Sequence, residues 1–227
     1  MKRGGDLVVT VLAGSIALPL GLVIAILIRC TMGGPVIFRQ TRTGRGGREF
    51  SILKFRTMRD MRHPDEPDAP RITRLGALLR KTSLDELPQL WNVVRGEMGV
   101  IGPRPTLPEQ VVHYSERQRG RLAVRPGLTG WAQVKGRNSI TWPERIELDL
   151  EYIARRSLGL DLQILFLTAR MLLRPTGITA AGGVNPGFPA PVSVPAVAVA
   201  TVPATTTTRI VLPRQATGPR IPVEEAS

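Results

Sequence analysis

Between Asp6 and Arg29 the chain runs for 22 residues without a charge, LVVTVLAGSIALPLGLVIAILI. A segment of that length crosses a bilayer core as a helix, which takes about 20 residues. It exceeds the roughly 7–15 residues of a signal-peptide core, and no A-x-A cleavage pattern follows, which disfavours a cleaved leader. Two features oppose a simple span. Pro19 lies near the centre, with Gly14 and Gly21 on either side. Proline there removes a helical hydrogen bond and clashes with the preceding turn. The flanking charges are also symmetric, with Lys2 and Arg3 before and Arg29, Arg39, Arg42, Arg45 and Arg48 after. The positive-inside tendency draws both ends to the cytoplasmic side. A helix that breaks at Pro19, dips into one leaflet and returns satisfies both features. Carbonyls freed at the break need protein partners, because lipid offers none. Ser15 is placed to bring a hydroxyl there. On these residues alone a single span and a re-entrant helix both stand.

The 227 residues suffice for one ordinary domain with appendages. Lys and Arg number 31 against 18 Asp and Glu, a net charge of +13, almost all of it before residue 180. So basic a body expects polyanions: nucleic acid, anionic lipid heads or phosphorylated substrates. Cys30 is the only cysteine, so no internal disulfide forms. His63 and His113 are isolated, and no Cys/His spacing suggests zinc. The chain has no internal repeat.

After the apolar segment, GPVIFRQTRTGRGGREFSILKFRTM (34–58) reads as a hairpin, with VIF and FSIL as strands and GRGG as the turn. RDMRHPDEPDAPRIT (59–73) is a polar surface loop with three prolines. Residues 74–98 carry a helical pattern in Leu75, Leu78, Leu79, Leu87, Leu90, Trp91 and Val94. Two Gly/Pro-rich loops follow. Residues 143–156 and 160–173 are again helical. LDLQILFLTARMLL is very apolar for a surface helix, and suits either the core or, as the anchor favours, the membrane interface. From Ala180 the chain is rich in Pro, Ala, Val and Thr without helical spacing, and reads as an unfolded tail.

Within TSLDELPQLW (82–91) stand two adjacent acids, Asp85 and Glu86, framed by Leu84, Leu87, Leu90 and Trp91. Ser83 to Glu86 matches a capping box, so Glu86 reads first as a helix cap. Pro88 weakens that reading. With Ser83 as the cap it falls at the fifth helical position and loses a ladder bond. With Asp85 as the cap it is the third helical residue, where no donor is needed. Adjacent helical positions lie about 100° apart, so both acids cannot face the core. Around the pair are cations on constrained backbone: Lys54 and Arg56 in LKFRTM, Arg80, Arg104 between two prolines, and Arg125, Lys135 and Arg137 in RPGLTGWAQVKGRN. Singly each reads as a solvated charge. Together they suit a phosphate ester with a divalent cation, because Arg and Lys hold phosphate oxygens and Mg²⁺ takes one or two carboxylates plus substrate phosphates. A carboxylate can also attack phosphorus. GEMGVIG and GRGGREF match neither the dinucleotide fingerprint nor the P-loop.

FRQTRTG, LKFRTM, TSLDELPQLWNVVRGEMGVIGPRP and RPGLTGWAQVKGRN, in that order, resemble the bacterial sugar transferases, the monotopic phosphoglycosyl transferases. The resemblance covers about residues 2–179 and is to the short form, with no bundle of further membrane helices before the catalytic part. It implies an α+β fold: residues 1–30 as a re-entrant, Pro-broken membrane helix and 31–179 as a mainly helical cytoplasmic domain with a short β-hairpin, to which the composition of 180–227 adds a disordered tail. It implies a site at the cytoplasmic face of the bacterial inner membrane. There a sugar-1-phosphate moves from a UDP-sugar to undecaprenyl phosphate, with release of UMP, as the first membrane step towards a surface glycan. By the same resemblance Asp85 is the nucleophile that carries a covalent phosphosugar, and Glu86 helps hold Mg²⁺ or position the acceptor. Asp85 and Glu86 form the metal site. Lys54, Arg80 and Arg104 bind phosphate, and Arg56, Arg125, Gln133 and Arg137 belong to matching substrate-binding motifs. The family commonly has Ser before the membrane-helix proline, whereas Leu18 stands here.

Two rival classes frame these expectations. A non-catalytic, single-span protein that binds anionic lipid or nucleic acid fits the charge, but aromatics are only 4% of the chain and no nucleic-acid motif occurs. An inactive scaffold of the same fold conflicts with intact Asp85, Glu86, Arg80 and Arg104.

Overall fold

The structure, a computed structural model, describes residues 2–136 and 140–173. Arg137 and the tail from Ala180 therefore lie outside the described residues.

The apolar segment is one helical run, α1 (Lys2–Met32), with Pro19 inside it. The expected break at Pro19 is not seen as an interruption of the helix. The Ser15 hydroxyl donates to Leu12 O at 2.8 Å, one turn from where the break was expected to need it. By length and composition α1 is apolar enough to cross a membrane. Its contacts are uneven. Near its start, Arg3 donates to Val93 O at 2.6 Å and Val94 O at 2.8 Å, and Asp6 Oδ1 accepts from Val100 N at 3.1 Å. Near its end, Ile24 and Ile28 are buried with Phe55 and Leu79. Between these docks Val11, Leu12, Ile16 and Leu18 are exposed.

The hairpin forms where the sequence placed it. Strands β1 (Ile37–Thr43) and β2 (Glu49–Phe55) pair antiparallel across a tight turn. Gly46 and Gly47 there take φ of 67° and 80°, a region that disfavours side chains. β2 joins two cores: Ile52 packs with Val93, Met98, Trp131, Tyr152 and Ile164, and Phe55 with the α1 residues.

The helical pattern of 74–98 is two helices, α2 (Arg74–Thr82) and α3 (Gln89–Arg95), not one. The interruption is Ser83, whose φ of 59° ends α2. Thr73 caps α2 by accepting from Gly76 N. A Cβ on Gly76 would lie 1.9 Å from Thr57 O, so only glycine lets α2 approach the end of the hairpin. Asn92, fully buried, fixes α3 to β2 by accepting from Leu53 N at 3.1 Å and donating to Ser51 O at 2.8 Å.

The two Gly/Pro-rich loops hold more structure than their composition indicates. Strands β3 (Gly99–Ile101) and β4 (Gly127–Thr129) pair parallel. Short helices α4 (Pro108–Val112), α5 (Glu116–Arg119) and α6 (Trp131–Gly136) lie around them. A Cβ on Gly127 would meet Gly102 N at 2.1 Å, and one on Gly102 would meet Arg125 O at 2.4 Å. The GPRP and RPG turns are thus locked backbone against backbone. Helices α7 (Trp142–Ala154) and α8 (Leu158–Leu173) close the body, with Ile146 and Ile164 buried. Leu158, Leu162, Phe166 and Leu173 of α8 are exposed.

Candidate active site

Asp85 and Glu86 lie in the 3₁₀ turn Leu84–Glu86 that joins α2 to α3. The capping box does not form, because the Ser83 side chain makes no capping hydrogen bond. Neither acid is there to cap a helix.

The two neighbours have opposite surroundings. Glu86 Oε1 accepts from Lys54 Nζ at 2.7 Å and from Arg104 at 2.6 Å. Burial alone would raise its carboxyl, but Arg104 and Lys54 hold it well below the usual carboxylate range. Asp85 is buried, 8% exposed, and its nearest cation is Lys54 at 4.0 Å. Among the described residues no hydrogen bond ends on its carboxylate. Burial pushes the Asp85 carboxyl up, the Glu86 charge adds to this, and Lys54, Arg104 and Arg80 only partly offset it.

Lys54, Arg80 and Arg104 therefore converge on the acid pair from three elements. Lys54 comes from β2 and Arg80 from the last turn of α2, its Nε donating to Thr57 Oγ1 at 2.9 Å. Arg104 comes from the loop after β3. Arg56 is engaged elsewhere: it donates to Gly34 O at 2.7 Å and Met58 O at 2.9 Å and pairs with Asp60 at 2.9 Å. It ties the hairpin end to the start of the following loop. Arg125 is exposed on the turn that Gly102 abuts. Gln133 donates to Leu128 O at 2.9 Å, and its buried Oε1 has no partner among the described residues. Lys135, read as a loop cation, is on α6 with its ammonium 4.5 Å from the centroid of the Trp131 ring.

Reading the sequence missed two arginines. Arg42, counted only as a flanking charge, lies beside Arg104 and Glu86, and its NH1 reaches Pro105 O at 3.5 Å. Arg121, only 2% exposed, donates to Asp149 Oδ2 at 2.6 Å, Tyr114 Oη at 2.7 Å and Arg104 O at 2.8 Å. Asp149 is 2% exposed, and burial raises its carboxyl while Arg121 and Arg145 draw it back. Arg121 thereby holds the backbone of the residue that grips Glu86. The register of the hairpin was the available signal for Arg42. Nothing local in RQRGRLAVRP marks Arg121.

Among the described residues no group of three or more His, Cys, Asp or Glu could hold a metal by itself. Two adjacent carboxylates do fit Mg²⁺ when a bound diphosphate supplies the remaining oxygens. The same diphosphate would offer Lys54 and Arg104 an alternative to Glu86.

The structure thus joins a helix long and apolar enough to cross a membrane to an acid pair flanked by Lys54 and Arg104. The chain belongs to the bacterial sugar transferase family, whose model matches residues 1–175. It is 46% identical over 154 residues to the uncharacterized sugar transferase EpsL of Bacillus subtilis (strain 168), covering 66% of this chain and 76% of that one. It is 45% identical over 170 residues to the UDP-glucose:undecaprenyl-phosphate glucose-1-phosphate transferase of Xanthomonas campestris pv. campestris, covering 68% of this chain and 35% of that one. It is 41% identical over 162 residues to the galactosyl transferase CpsE of Streptococcus agalactiae serotype III (strain NEM316), covering 64% and 36%. The chain thus spans about three quarters of the first relative and about a third of the other two.

Proposed function

We propose that this protein transfers a sugar-1-phosphate from a UDP-sugar to undecaprenyl phosphate at the cytoplasmic face of the membrane, releasing UMP. The observation that carries the reading is the contrast within the acid pair. Glu86 is neutralised by two cations, whereas Asp85 is buried, accepts no hydrogen bond among the described residues and lies 4.0 Å from Lys54. An oxygen of Asp85 attacks the sugar-bearing phosphorus. The bond from that phosphorus to the bridging oxygen breaks, and UMP leaves with the electron pair. An oxygen of the lipid phosphate then attacks the acyl phosphate, and Asp85 departs as a carboxylate. Lys54, Arg80 and Arg104 neutralise phosphate charge, as such transfers require. Asp85 and Glu86 with substrate oxygens would hold Mg²⁺, which supplies further charge neutralisation when bound. The name of the Xanthomonas campestris relative supports a UDP-sugar and a polyprenyl phosphate. Glucose and galactosyl names both occur among the relatives, so the sugar stays open.

The same reading makes α1 re-entrant. Its support is that both ends of α1 dock on one body while its middle is exposed.

The test is UMP release by nanodisc-held protein with Mg²⁺, undecaprenyl phosphate and a panel of UDP-sugars, beside Asp85→Asn. Lipid-dependent turnover with one preferred donor, lost in the variant, is expected. Turnover by Asp85→Asn equal to wild type would falsify the nucleophile assignment. Salt-dependent lipid binding without turnover by any donor would favour a non-catalytic binding protein.

A further inference from the structure

Arg42 and Lys54 share one face of the hairpin. Phe38 stands opposite Lys54, Gln40 opposite Ile52, and Arg42 opposite Phe50. Facing residues of an antiparallel pair project to the same side. Lys54 reaches Glu86 at one end of this face. At the other end Thr43 N donates to Thr106 O at 2.9 Å and Arg42 NH1 reaches Pro105 O, so the segment that carries Arg104 crosses beside Arg42. Lys54, Arg104 and Arg42 therefore lie in sequence around one carboxylate.

Glu86 bonds the first two and not the third. Arg42 donates to Gln40 Oε1 at 2.6 Å and to Pro105 O, while its covered Nε finds no acceptor among the described residues. Glu86 and Glu109 lie near enough to attract it, but neither accepts a hydrogen bond from it among those residues. Burial and the adjacent Arg104 lower its pKa to about 10. A half-buried guanidinium near a second one, with a donor unused, is a place for an anion.

Its position says which anion. Lys54 lies 4.0 Å from Asp85 and Arg104 pairs with Glu86 at 2.6 Å, whereas Arg42 pairs with neither acid among the described residues and reaches Pro105 O, beside Arg104. Arg42 is thus the outlying cation, beyond Arg104 from the nucleophile. A phosphorus attacked by Asp85 lies at the Lys54 end, and the second phosphate of a diphosphate extends past Arg104.

We propose that Arg42 binds the nucleotide-side phosphate of the donor, the one that departs with the nucleotide. The assignment rests on the transferase reading above. When the bridging bond breaks, the electron pair stays on the leaving phosphate, and Arg42 with Arg104 receives that charge.

The test is binding of UMP and of uridine to the full chain in nanodiscs, for wild type, Arg42→Gln, Arg42→Lys and Arg45→Gln, an exposed arginine of the hairpin turn. Arg42→Gln should weaken UMP by about 10- to 100-fold and leave uridine unchanged. Arg42→Lys should fall between, because a point charge replaces the fork. Arg45→Gln should match wild type. UMP affinity within about twofold of wild type in Arg42→Gln overturns the assignment. Equal weakening of UMP and uridine also overturns it, since that reports a deformed site. If Arg42→Gln fails to fold, wild-type UMP affinity in Arg42→Lys overturns it. Wild type that binds neither nucleotide refutes the uridine-donor reading and this assignment with it. Bound UMP with an indifferent Arg42 removes this assignment alone.

Discussion

Replacing Arg121 by Met should destabilise the body and weaken catalysis together. Arg121 and Asp149 are each 2% exposed and pair at 2.6 Å. Removing one partner of a buried pair leaves an uncompensated charge and costs about 3–5 kcal/mol. Each kcal/mol lowers the melting temperature of a domain of this size by roughly 2–4 °C, so a fall of about 6–20 °C is expected. The orphaned Asp149 then has its pKa raised further above its unfolded value. The variant's deficit is therefore full at neutral pH and shrinks as pH falls through that raised value. Arg121→Met with Asp149→Leu removes both charges and should recover much of the loss. Turnover should not recover with stability, because Arg104 O still lacks the Arg121 donor that sits 2.8 Å away. Thermal unfolding from pH 5 to 8, with UMP release by each variant, reads all three effects. A fall below about 1 kcal/mol, or a double variant no more stable than the single, would refute the buried-pair reasoning. Full activity in the double variant would refute the positioning role.

Three further outcomes are expected for the site and its scaffold, and one for the anchor. Asp85→Asn should lower turnover by about 10³-fold or more and raise the melting temperature by roughly 2–4 °C, since a carboxylate whose burial disfavours ionisation is removed; the gain should vanish at acid pH, where Asp85 is protonated in both states. In the metal-free protein the Asp85 carboxyl should titrate above the ordinary aspartate value, because burial raises it, and a carboxyl-resolved NMR titration that finds it at or below that value would refute the burial argument. Gly76→Ala should cost about 1–3 kcal/mol and lower turnover, because the methyl meets Thr57 backbone and drives away the helix that carries Arg80; unchanged stability would show that α2 shifts freely. The Cys30 thiol of wild type, and the thiol introduced by Gly4→Cys in a Cys30→Ser background, should react with an impermeant reagent from the same side of the membrane; labelling from opposite sides would establish a span.

Local pattern was legible in the sequence, and long-range backbone contact was not. The hairpin could be read because alternation and a Gly-rich turn are local signals. The motif resemblance named Lys54, Arg80 and Arg104; the structure gives ion-pair distances to the acids for Lys54 and Arg104 and bonds Arg80 to Thr57. The split of 74–98 escaped notice because a single left-handed Ser83 leaves the leucine spacing on either side unchanged. The β3–β4 pair escaped because strands of three residues carry no periodicity, and their pairing depends on Gly102 and Gly127 meeting across 25 positions. Arg3 and Asp6 read as mere borders of an apolar segment, whereas each bonds a residue 90 or more positions away.

Those two border residues connect the anchor to the chemistry. Arg3 takes the Val93 and Val94 carbonyls in the last turn of α3, the first of which also accepts from Gly96 N. The same helix begins just after the Asp85–Glu86 turn. Asp6 takes the amide of Val100 in β3, and four residues later Arg104 closes on Glu86. The first turns of α1 thus hold the far ends of the two segments that bring Glu86 and Arg104 together. The last turns hold Phe55 and Leu79, the neighbours of Lys54 and Arg80. Each of the four charged residues around Asp85 lies on a segment braced by α1. A helix that only tethered the body would need none of these contacts. If α1 lies in the membrane as proposed above, contacts at both of its ends would fix the height of the acid pair, and contacts at both ends are present.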